Sequence, residues 1–329
     1  MRIGITFDLR RDYLNAGYSK EETAELDEPE TIEALEEALH SFGYEPVRIG
    51  NIKSLVRQLA EGQRWDLVFN IAEGLHGLSR EAQVPALLDA YAIPYTFSDP
   101  LVLSLALHKA ATKRIIRDMG IPTPQFKVFQ QGDTIEICEF GFPMFVKPVA
   151  EGSSKGIGSH SAVQTPEELQ AACFMLLANF DQPVLVEQYL PGREFTVGIA
   201  GSGNEAKVLG VMEILLNEAD WAEGYSYQTK INYLEKVKYR IVTGDIREQC
   251  AAVAMQVWRG LGCRDGGRID LKMDAEGIPN FLEVNPLAGL SPHYSDLPIL
   301  CKLSGISYSE LIRMIVDSAL KKIDSGVIL

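Results

Sequence analysis

The sequence has few of the features that mark secreted, membrane or thiolate-metal proteins. Its five cysteines are scattered, with neither a CxxC pair nor the Cys/His spacing of a zinc site, so reduced and buried thiols are expected. No apolar run approaches the roughly 18 to 20 residues that a membrane span needs, and residues 1–5 open a strand-like segment without a signal-peptide pattern. These absences predict a cytoplasmic protein that has no membrane partner.

An excess of positive charge is also missing. The 45 Asp and Glu residues outnumber the 31 Lys and Arg residues, which gives a formal net charge of −14. Phosphate backbones select basic surfaces, so no nucleic-acid partner is expected. An anionic ligand would have to meet local cations, and lysines or arginines beside glycines or carboxylates are therefore informative here.

The chain of 329 residues is long enough for two or three domains. The first hundred residues alternate short apolar runs with helical patterns, which predicts a Rossmann-like βαβ-type open sheet. An amphipathic helix is predicted over residues 105–119, where Gly120 and the prolines after it end the helix and mark a domain boundary.

Two segments that alternate polar and apolar residues flank a short turn at residues 275–277, which predicts a β-hairpin. Period two puts Arg268 and Asp270 on one face of the first strand, and Glu283 and Asn285 on one face of the second. In a symmetric hairpin, Asp270 lies opposite Glu283. Opposed carboxylates repel each other unless a cation lies between them, and their oxygen atoms suit Mg²⁺. The pattern fits a magnesium site or a solvent-facing hairpin whose acidic residues happen to alternate.

A lysine at a strand end, Lys147, precedes a loop of small residues that runs from Gly152 to Gly158. Glycine and serine let backbone N–H groups approach an anion closely. The loop contains neither the GxxxxGK[ST] pattern of a P-loop nor the GxGxxG pattern of dinucleotide folds. It fits a flap over phosphate groups or an ordinary surface hairpin.

The ordered set of these motifs closely resembles the ATP-grasp superfamily, and specifically its D-alanine:D-alanine ligase branch. The resemblance covers most of the chain and is carried by six segments: Lys147, Glu151-Gly152-Ser153-Ser154, Glu187-Gln188-Tyr189-Leu190, Glu194-Phe195-Thr196-Val197, Arg268-Ile269-Asp270 and Leu282-Glu283-Val284-Asn285. It implies an α/β (α+β) ATP-grasp fold of three domains, with ATP held between two sheets. The N-terminal substrate domain would span residues 1–108, the central subdomain 109–190 and the C-terminal subdomain 191–329.

The resemblance also implies nucleotide and metal contacts. The residues that would contact ATP are the phosphate-binding lysines, the serines of the closing loop, the adenine strand and the ribose-binding glutamate: Lys109, Lys147, Ser153, Ser154, Glu187, Tyr189, Leu190 and Glu194. The ligands of Mg²⁺, for which Mn²⁺ is an alternative, would be Asp270, Glu283 and Asn285.

Catalytic and substrate contacts follow from the same resemblance. Arg268 would contact the transferring phosphate and the tetrahedral intermediate. Ser154 and Lys230 would act from the two closing loops, and the N–H of Gly289 would bind the tetrahedral centre. The substrate-binding residues would be His76, Glu81, Gly289 and Ser295, where the match of Ser295 requires one inserted residue.

The segment after the first strand departs from the family. There the family has a short glycine-rich loop whose glutamate holds the amino group of the first substrate, whereas this chain has a long acidic insertion. Glu28 and Glu30 are the candidates for that glutamate, although acidic residues also favour a helix start. The insertion fits a solvated loop, or a wall that meets a cationic or bulkier donor.

Together these features predict an ATP- and Mg²⁺-dependent ligase that joins two amino acids, or an amino acid and another small carboxylate, through an acyl phosphate. Its expected partners are small amino-acid-like substrates, and the resemblance implies a homodimer. The alternatives are an amino-acid ligase of specialised metabolism whose substrate is not D-alanine, a phosphotransferase, and a non-catalytic ATP-binding homologue.

Overall fold

A computed structural model describes residues 1–216 and 237–324. Lys230, one of the predicted catalytic residues, lies outside these ranges. Within them, no helix is long and apolar enough to cross a membrane. All five cysteines are buried and free, as predicted.

The first of three sheets is parallel, with the strand order β2-β1-β3. Its strands are β1 (Arg2–Thr6), β2 (Glu45–Gly50) and β3 (Leu67–Asn70). The helices of this part of the chain are α1 (Arg10–Asn15), α2 (Pro29–Ser41), α3 (Ile52–Ala60), α4 (Gln83–Ala90) and α5 (Pro100–Leu107), with a 3₁₀ turn at Arg80–Ala82. Helix α2 buries Ile32, Leu35 and Leu39, which share one face at helical spacing.

The helix predicted over residues 105–119 is wrong as a single helix. The structure ends α5 at Leu107 and begins α6 (Lys109–Asp118) after His108, whose backbone is not helical. The His108 ring nitrogen accepts a hydrogen bond from the N–H of Ala111 at 3.2 Å and so caps α6, while the N–H of Lys109 donates to Val149 at 3.0 Å. The break places Lys109 at the first position of a helix.

The second sheet is antiparallel, with the strand order β4-β7-β5-β6. Its strands are β4 (Phe126–Phe129), β5 (Met144–Pro148), β6 (Ala162–Val163) and β7 (Val184–Gln188). Helix α7 (Pro166–Asn179) covers it and is capped by Thr165, whose hydroxyl accepts a hydrogen bond from the N–H of Glu168 at 3.2 Å.

The third sheet is antiparallel, with the strand order β10-β9-β8-β11-β12. Its strands are β8 (Glu194–Ala200), β9 (Lys207–Leu216), β10 (Val237–Ile241), β11 (Gly266–Met273) and β12 (Pro279–Asn285). It is accompanied by a 3₁₀ turn (Gly203–Glu205) and by α8 (Asp245–Gly260), α9 (Asp296–Leu303) and α10 (Tyr308–Asp324). The three sheets fall within the three predicted domains, whose bounds stay a prediction.

The register of β11 against β12 confirms the predicted hairpin. Asp270 pairs with Glu283, and Arg268 pairs with Asn285. A register shift follows directly after Asp270, so the two carboxylates lie at an irregular point of the ladder.

Candidate active site

Two adjoining cavities lie where the three parts of the chain meet. The larger has a volume of about 750 Å³ and the smaller about 140 Å³. Both are lined by Ser153, Arg268, Glu283 and Asp296, which therefore form the wall that the cavities share. A molecule in one cavity would face a molecule in the other across these side chains.

The smaller cavity lies between the two antiparallel sheets. The predicted nucleotide residues that line it are Lys147, Ser153, Ser154, Glu187, Tyr189, Leu190 and Glu194. Lys109 instead lines the larger cavity. Of the predicted metal and catalytic residues, Asp270, Glu283 and Arg268 also line the smaller one.

Glu187 organises the lysine at the end of β5. Its carboxylate is buried and lies 3.0 Å from the Lys147 ammonium and 2.9 Å from that of Lys113 on α6. Burial opposes ionisation, yet the two ammonium groups lower the pKa of Glu187. Lys113 was not among the residues that the sequence predicts for the site. It follows Lys109 by one helical turn and therefore lies on the same face of α6.

Glu194 also has a cationic partner that the sequence reasoning missed. The Lys272 ammonium lies 3.0 Å from the Glu194 carboxylate and 5.8 Å from the centre of the Tyr189 ring. Lys272 follows Asp270 by two positions on the same strand, and strand alternation alone would have placed it on the cavity face.

The two opposed carboxylates are held by protein cations and by hydrogen bonds. Asp270 accepts from the Thr196 hydroxyl at 2.8 Å and from the Asn285 amide at 3.1 Å, and it forms an ion pair with Arg268. Glu283 lies 3.2 Å from the Lys109 ammonium. The N-terminus of α6 and the β11–β12 hairpin thus meet at this carboxylate pair.

The surroundings of these carboxylates suit a hard cation. Burial raises the pKa of Asp270 to about 6, and the carboxylates of Glu283 and Asp296 add to the effect of burial. Carboxylate and amide oxygens are the ligands that Mg²⁺ prefers. Among the described residues, no group of three or more His, Cys, Asp or Glu is placed to hold a metal, so a site here would rely on Asp270 and Glu283 together with the amide of Asn285.

The loop between β5 and β6 carries strained backbone where it borders both cavities. Ser153 and Ser154 have φ angles of 48° and 58°, in the left-handed region that non-glycine residues seldom adopt. Such strain concentrates at sites that bind ligands. The loop is closely packed at Gly156, where a Cβ atom would lie 2.6 Å from the Pro148 ring.

The larger cavity collects most of the predicted substrate residues. Glu81, Gly289 and Ser295 line it, and a Cβ atom on Gly289 would lie 2.8 Å from the Ser295 hydroxyl, so a side chain there would displace that hydroxyl. His76 does not line it: its ring is exposed and lies 3.1 Å from the Tyr18 hydroxyl. The role of His76 stays a prediction.

Of the two candidates for the first-loop glutamate, Glu28 lines the larger cavity and lies 3.5 Å from the Arg10 guanidinium. Glu30 is exposed on the first turn of α2. Of the two candidates, the structure therefore places Glu28, and not Glu30, at the larger cavity.

The acidic insertion is solvent-exposed over residues 11–22, apart from Tyr13 and Tyr18, as the solvated-loop alternative predicts, but its end is not. The Glu25 side chain is only 9% exposed, and its carboxylate lies 2.9 Å from the Arg80 guanidinium and 3.0 Å from the Lys155 ammonium. Glu151 also contacts Lys155. The insertion is anchored at its start by Asp8, which accepts a hydrogen bond from the N–H of Gly74 at 2.9 Å. These contacts could not be predicted from the sequence, because Arg80, Lys155 and Gly74 lie more than 50 residues from their partners along the chain.

We expect Glu25→Gln to lower the free energy of unfolding by about 2–3 kcal/mol at pH 7. Burial opposes ionisation, but Arg80 and Lys155 lower the pKa of Glu25 from 4.5 to about 2. The stabilisation is therefore complete above pH 4.5 and is lost as the pH falls toward 2. Urea denaturation of both proteins between pH 7 and pH 3.5 measures the difference, which should narrow in acid. Glu21→Gln, an exposed site in the same insertion, is the control; an equal loss there would contradict the buried ion pair.

Comparison with known proteins connects this chain to a family. A family model described as the C-terminus of D-ala D-ala ligase matches residues 115–317. The chain is 34% identical over 296 residues to y4sG, an uncharacterized protein of Sinorhizobium fredii, and the match covers 86% of this chain and 85% of that one. It is 32% identical to the D-alanine–D-alanine ligase of Cupriavidus necator, with coverage of 85% and 81%.

Solved structures show the same fold. The D-alanine–D-alanine ligase of Bacillus anthracis, solved as a complex with ATP, aligns with a TM-score of 0.76 at 24% sequence identity over 99% of both chains. The predicted ATP-grasp fold is thereby confirmed.

Proposed function

This chain belongs to the D-alanine–D-alanine ligase family, and we propose that it is an ATP-dependent ligase that joins the carboxylate of one amino acid to the amine of another. The observation that carries the proposal is the wall shared by the two cavities. ATP in the smaller cavity and an amino acid in the larger one would meet at Arg268 and Glu283. Holding two reactants in contact supplies a large part of the rate enhancement in such reactions.

The first step would activate the donor. A carboxylate oxygen of the donor attacks the γ-phosphorus of ATP, the bond from that phosphorus to the β-bridging oxygen breaks, and ADP leaves with the bonding pair. In the second step the neutral amine of the acceptor attacks the acyl carbon. The bond from that carbon to the phosphate oxygen then breaks, inorganic phosphate leaves, and the new amide nitrogen loses a proton.

The protein's contribution would be position and charge. Lys147, fixed by Glu187, and Lys109, fixed by Glu283, would hold the phosphates. Mg²⁺ would be held by Asp270, Glu283 and Asn285 and would supply neutralisation of the phosphate charge. Binding through the amide oxygen of Asn285 would replace the hydrogen bond that its amide nitrogen now donates to Asp270.

The oxyanion that forms on the acyl carbon would lie between Arg268 and the N–H of Gly289. Both residues line the larger cavity, and Gly289 leaves space for close approach because a side chain there would meet Ser295. Fixed donors aimed at a developing negative charge stabilise the transition state more than the ground state. From the resemblance, the proposal extends to a cytoplasmic homodimer that binds no nucleic acid.

The test is phosphate release from ATP by the purified protein with Mg²⁺, with D- and L-amino acids offered singly and in pairs. A ligase releases phosphate only when a donor and an amine acceptor are both present, and mass spectrometry then finds the dipeptide. Accumulation of a phosphorylated donor with ADP, without phosphate release on adding an acceptor, would indicate a phosphotransferase. ATP binding without formation of ADP across the panel would indicate a non-catalytic protein.

A further inference from the structure

The acidic residues around the larger cavity fall into two groups. Five of them have a basic partner within 4.0 Å: Glu25, Glu28, Glu151, Glu283 and Asp296. The other three, Asp27, Glu73 and Glu81, form no ion pair among the described residues. In the part of the chain that the structure describes, three carboxyl groups of this cavity therefore have no basic partner within ion-pairing distance.

These three carboxylates belong to one wall. Asp27 closes the insertion, Glu73 follows β3, and Glu81 lies in the 3₁₀ turn at Arg80–Ala82. All come from the N-terminal part of the chain, whereas Gly289 and Ser295 face the cavity from the loop before α9. Repulsion from Glu81 and Asp27 acts on Glu73, so the three carboxyl groups lie near one another.

Among the described residues, no basic side chain forms an ion pair with these three carboxyl groups, and Arg80 and Lys109 act on Glu73 and Glu81 only from beyond 4.0 Å. Burial raises the pKa of Glu73 well above its usual value, and repulsion from Glu81, Glu25 and Asp27 adds to it. Burial likewise raises the pKa of Glu81 to about 7, against the opposing effect of Arg80 and Lys109. Partly desolvated carboxylates without a partner cost free energy, and sites that bind ligands are where proteins retain such groups.

The missing cation is better matched by an organic group than by a metal ion. The described acidic residues do not approach one another closely enough for three of them to hold one ion. An amino acid can instead present separate ammonium groups to separate carboxylates, at hydrogen-bond distance from each. One α-ammonium group can pair with one or two carboxylates, so at least one carboxylate of this wall would still have no cationic partner.

We infer that the donor is a basic amino acid, whose side chain carries a second cationic group to Asp27 and Glu73 while its α-ammonium group meets the same wall near Glu81. This inference rests on the proposed ligase function and names its substrate class. The cavity of about 750 Å³ has room for a side chain much longer than a methyl group. The insertion that supplies Asp27 is the part of the chain that departs from the family, so it changes the donor and leaves the phosphate chemistry intact.

The test isolates the donor step by replacing the acceptor with hydroxylamine. Its nitrogen attacks the acyl phosphate, phosphate leaves, and a hydroxamate forms that a ferric-chloride assay detects. The donors are the D and L forms of lysine and ornithine, each compared with its neutral counterpart of similar length, norleucine or norvaline, and with alanine. We expect kcat/KM for the better basic donor to exceed that of its neutral counterpart at least about tenfold, as for a buried charge pair.

Variants then assign the preference to this wall. Glu73→Gln and Asp27→Asn should each lower the ratio of basic to neutral donor about tenfold, whereas Glu37→Gln, on the exposed face of α2, should leave it unchanged. Two separate variants are used so that a folding defect in one leaves the other informative. The panel on the native protein needs no variant.

Each outcome decides one of the two proposals. Neutral donors that react as well as basic ones would overturn the basic donor and leave the ligase intact. An unchanged ratio in both folded variants would also overturn the assignment of the wall. Absence of hydroxamate and of ADP with every donor would overturn the ligase, and with it the inference that depends on it.

Discussion

Asp270→Asn is expected to reduce Mg²⁺-dependent turnover by about 10³-fold while the protein stays folded. A metal that neutralises phosphate charge contributes several kcal/mol to the transition state, and each 1.4 kcal/mol corresponds to about tenfold in rate. Asparagine has the same shape and keeps an oxygen for the Thr196 hydroxyl, but it lacks the charge that would hold the ion. We expect the fold to tolerate the loss of that charge, because burial opposes the ionised form of Asp270, although Arg268 would lose an ion-pair partner.

The measurement is steady-state phosphate release over a range of Mg²⁺ and Mn²⁺ concentrations, with thermal denaturation as the check of folding. Glu276→Gln is the matched control, since Glu276 is exposed at the turn of the same hairpin. Glu283→Gln should resemble Asp270→Asn. Retention of most activity in Asp270→Asn at low Mg²⁺ would remove Asp270 from the metal site.

The hairpin shows what the sequence could predict. The pairing of Asp270 with Glu283 follows from two local properties, the alternation of side chains along a strand and the centre of a short turn. Both properties can be read from the 18 residues that run from Arg268 to Asn285. Local periodicity was therefore enough to predict that Asp270 and Glu283, the candidate metal ligands, lie opposite each other.

The helix break and the insertion show where such reasoning stops. The apolar pattern continues through His108, and at the break the N–H of Lys109 donates a hydrogen bond to the distant Val149. Glu25 looks like any other acidic loop residue until Arg80 and Lys155 are brought beside it. Charges that pair over long sequence separations carry no local signal, and in this protein several of them line the larger cavity.

Arg268→Ala is expected to lower kcat about 10²–10³-fold while the Kd for ATP changes by less than about threefold. Arg268 lies on the wall between the cavities and is held there by Asp270 and by Asp296 at 3.9 Å. Its position is thus set before substrates bind. The phosphates of ATP would be held mainly by Lys109 and Lys147, so the loss should appear when charge develops on the reacting centre.

The loss of Arg268 has a second consequence that the experiment must separate. Its guanidinium lowers the pKa of Asp270, so its removal would raise that pKa further and weaken the ion site. Assays at saturating Mg²⁺, with ATP affinity measured by calorimetry, separate the two effects. Arg268→Lys keeps a charge beside Asp270 and should retain ion binding but not the forked geometry, whereas Arg240→Ala, an exposed arginine on β10, is the control. A variant that loses only ATP affinity, with kcat intact, would make Arg268 a ground-state phosphate ligand, and the stabilisation of the tetrahedral intermediate would then fall to Gly289 and the metal.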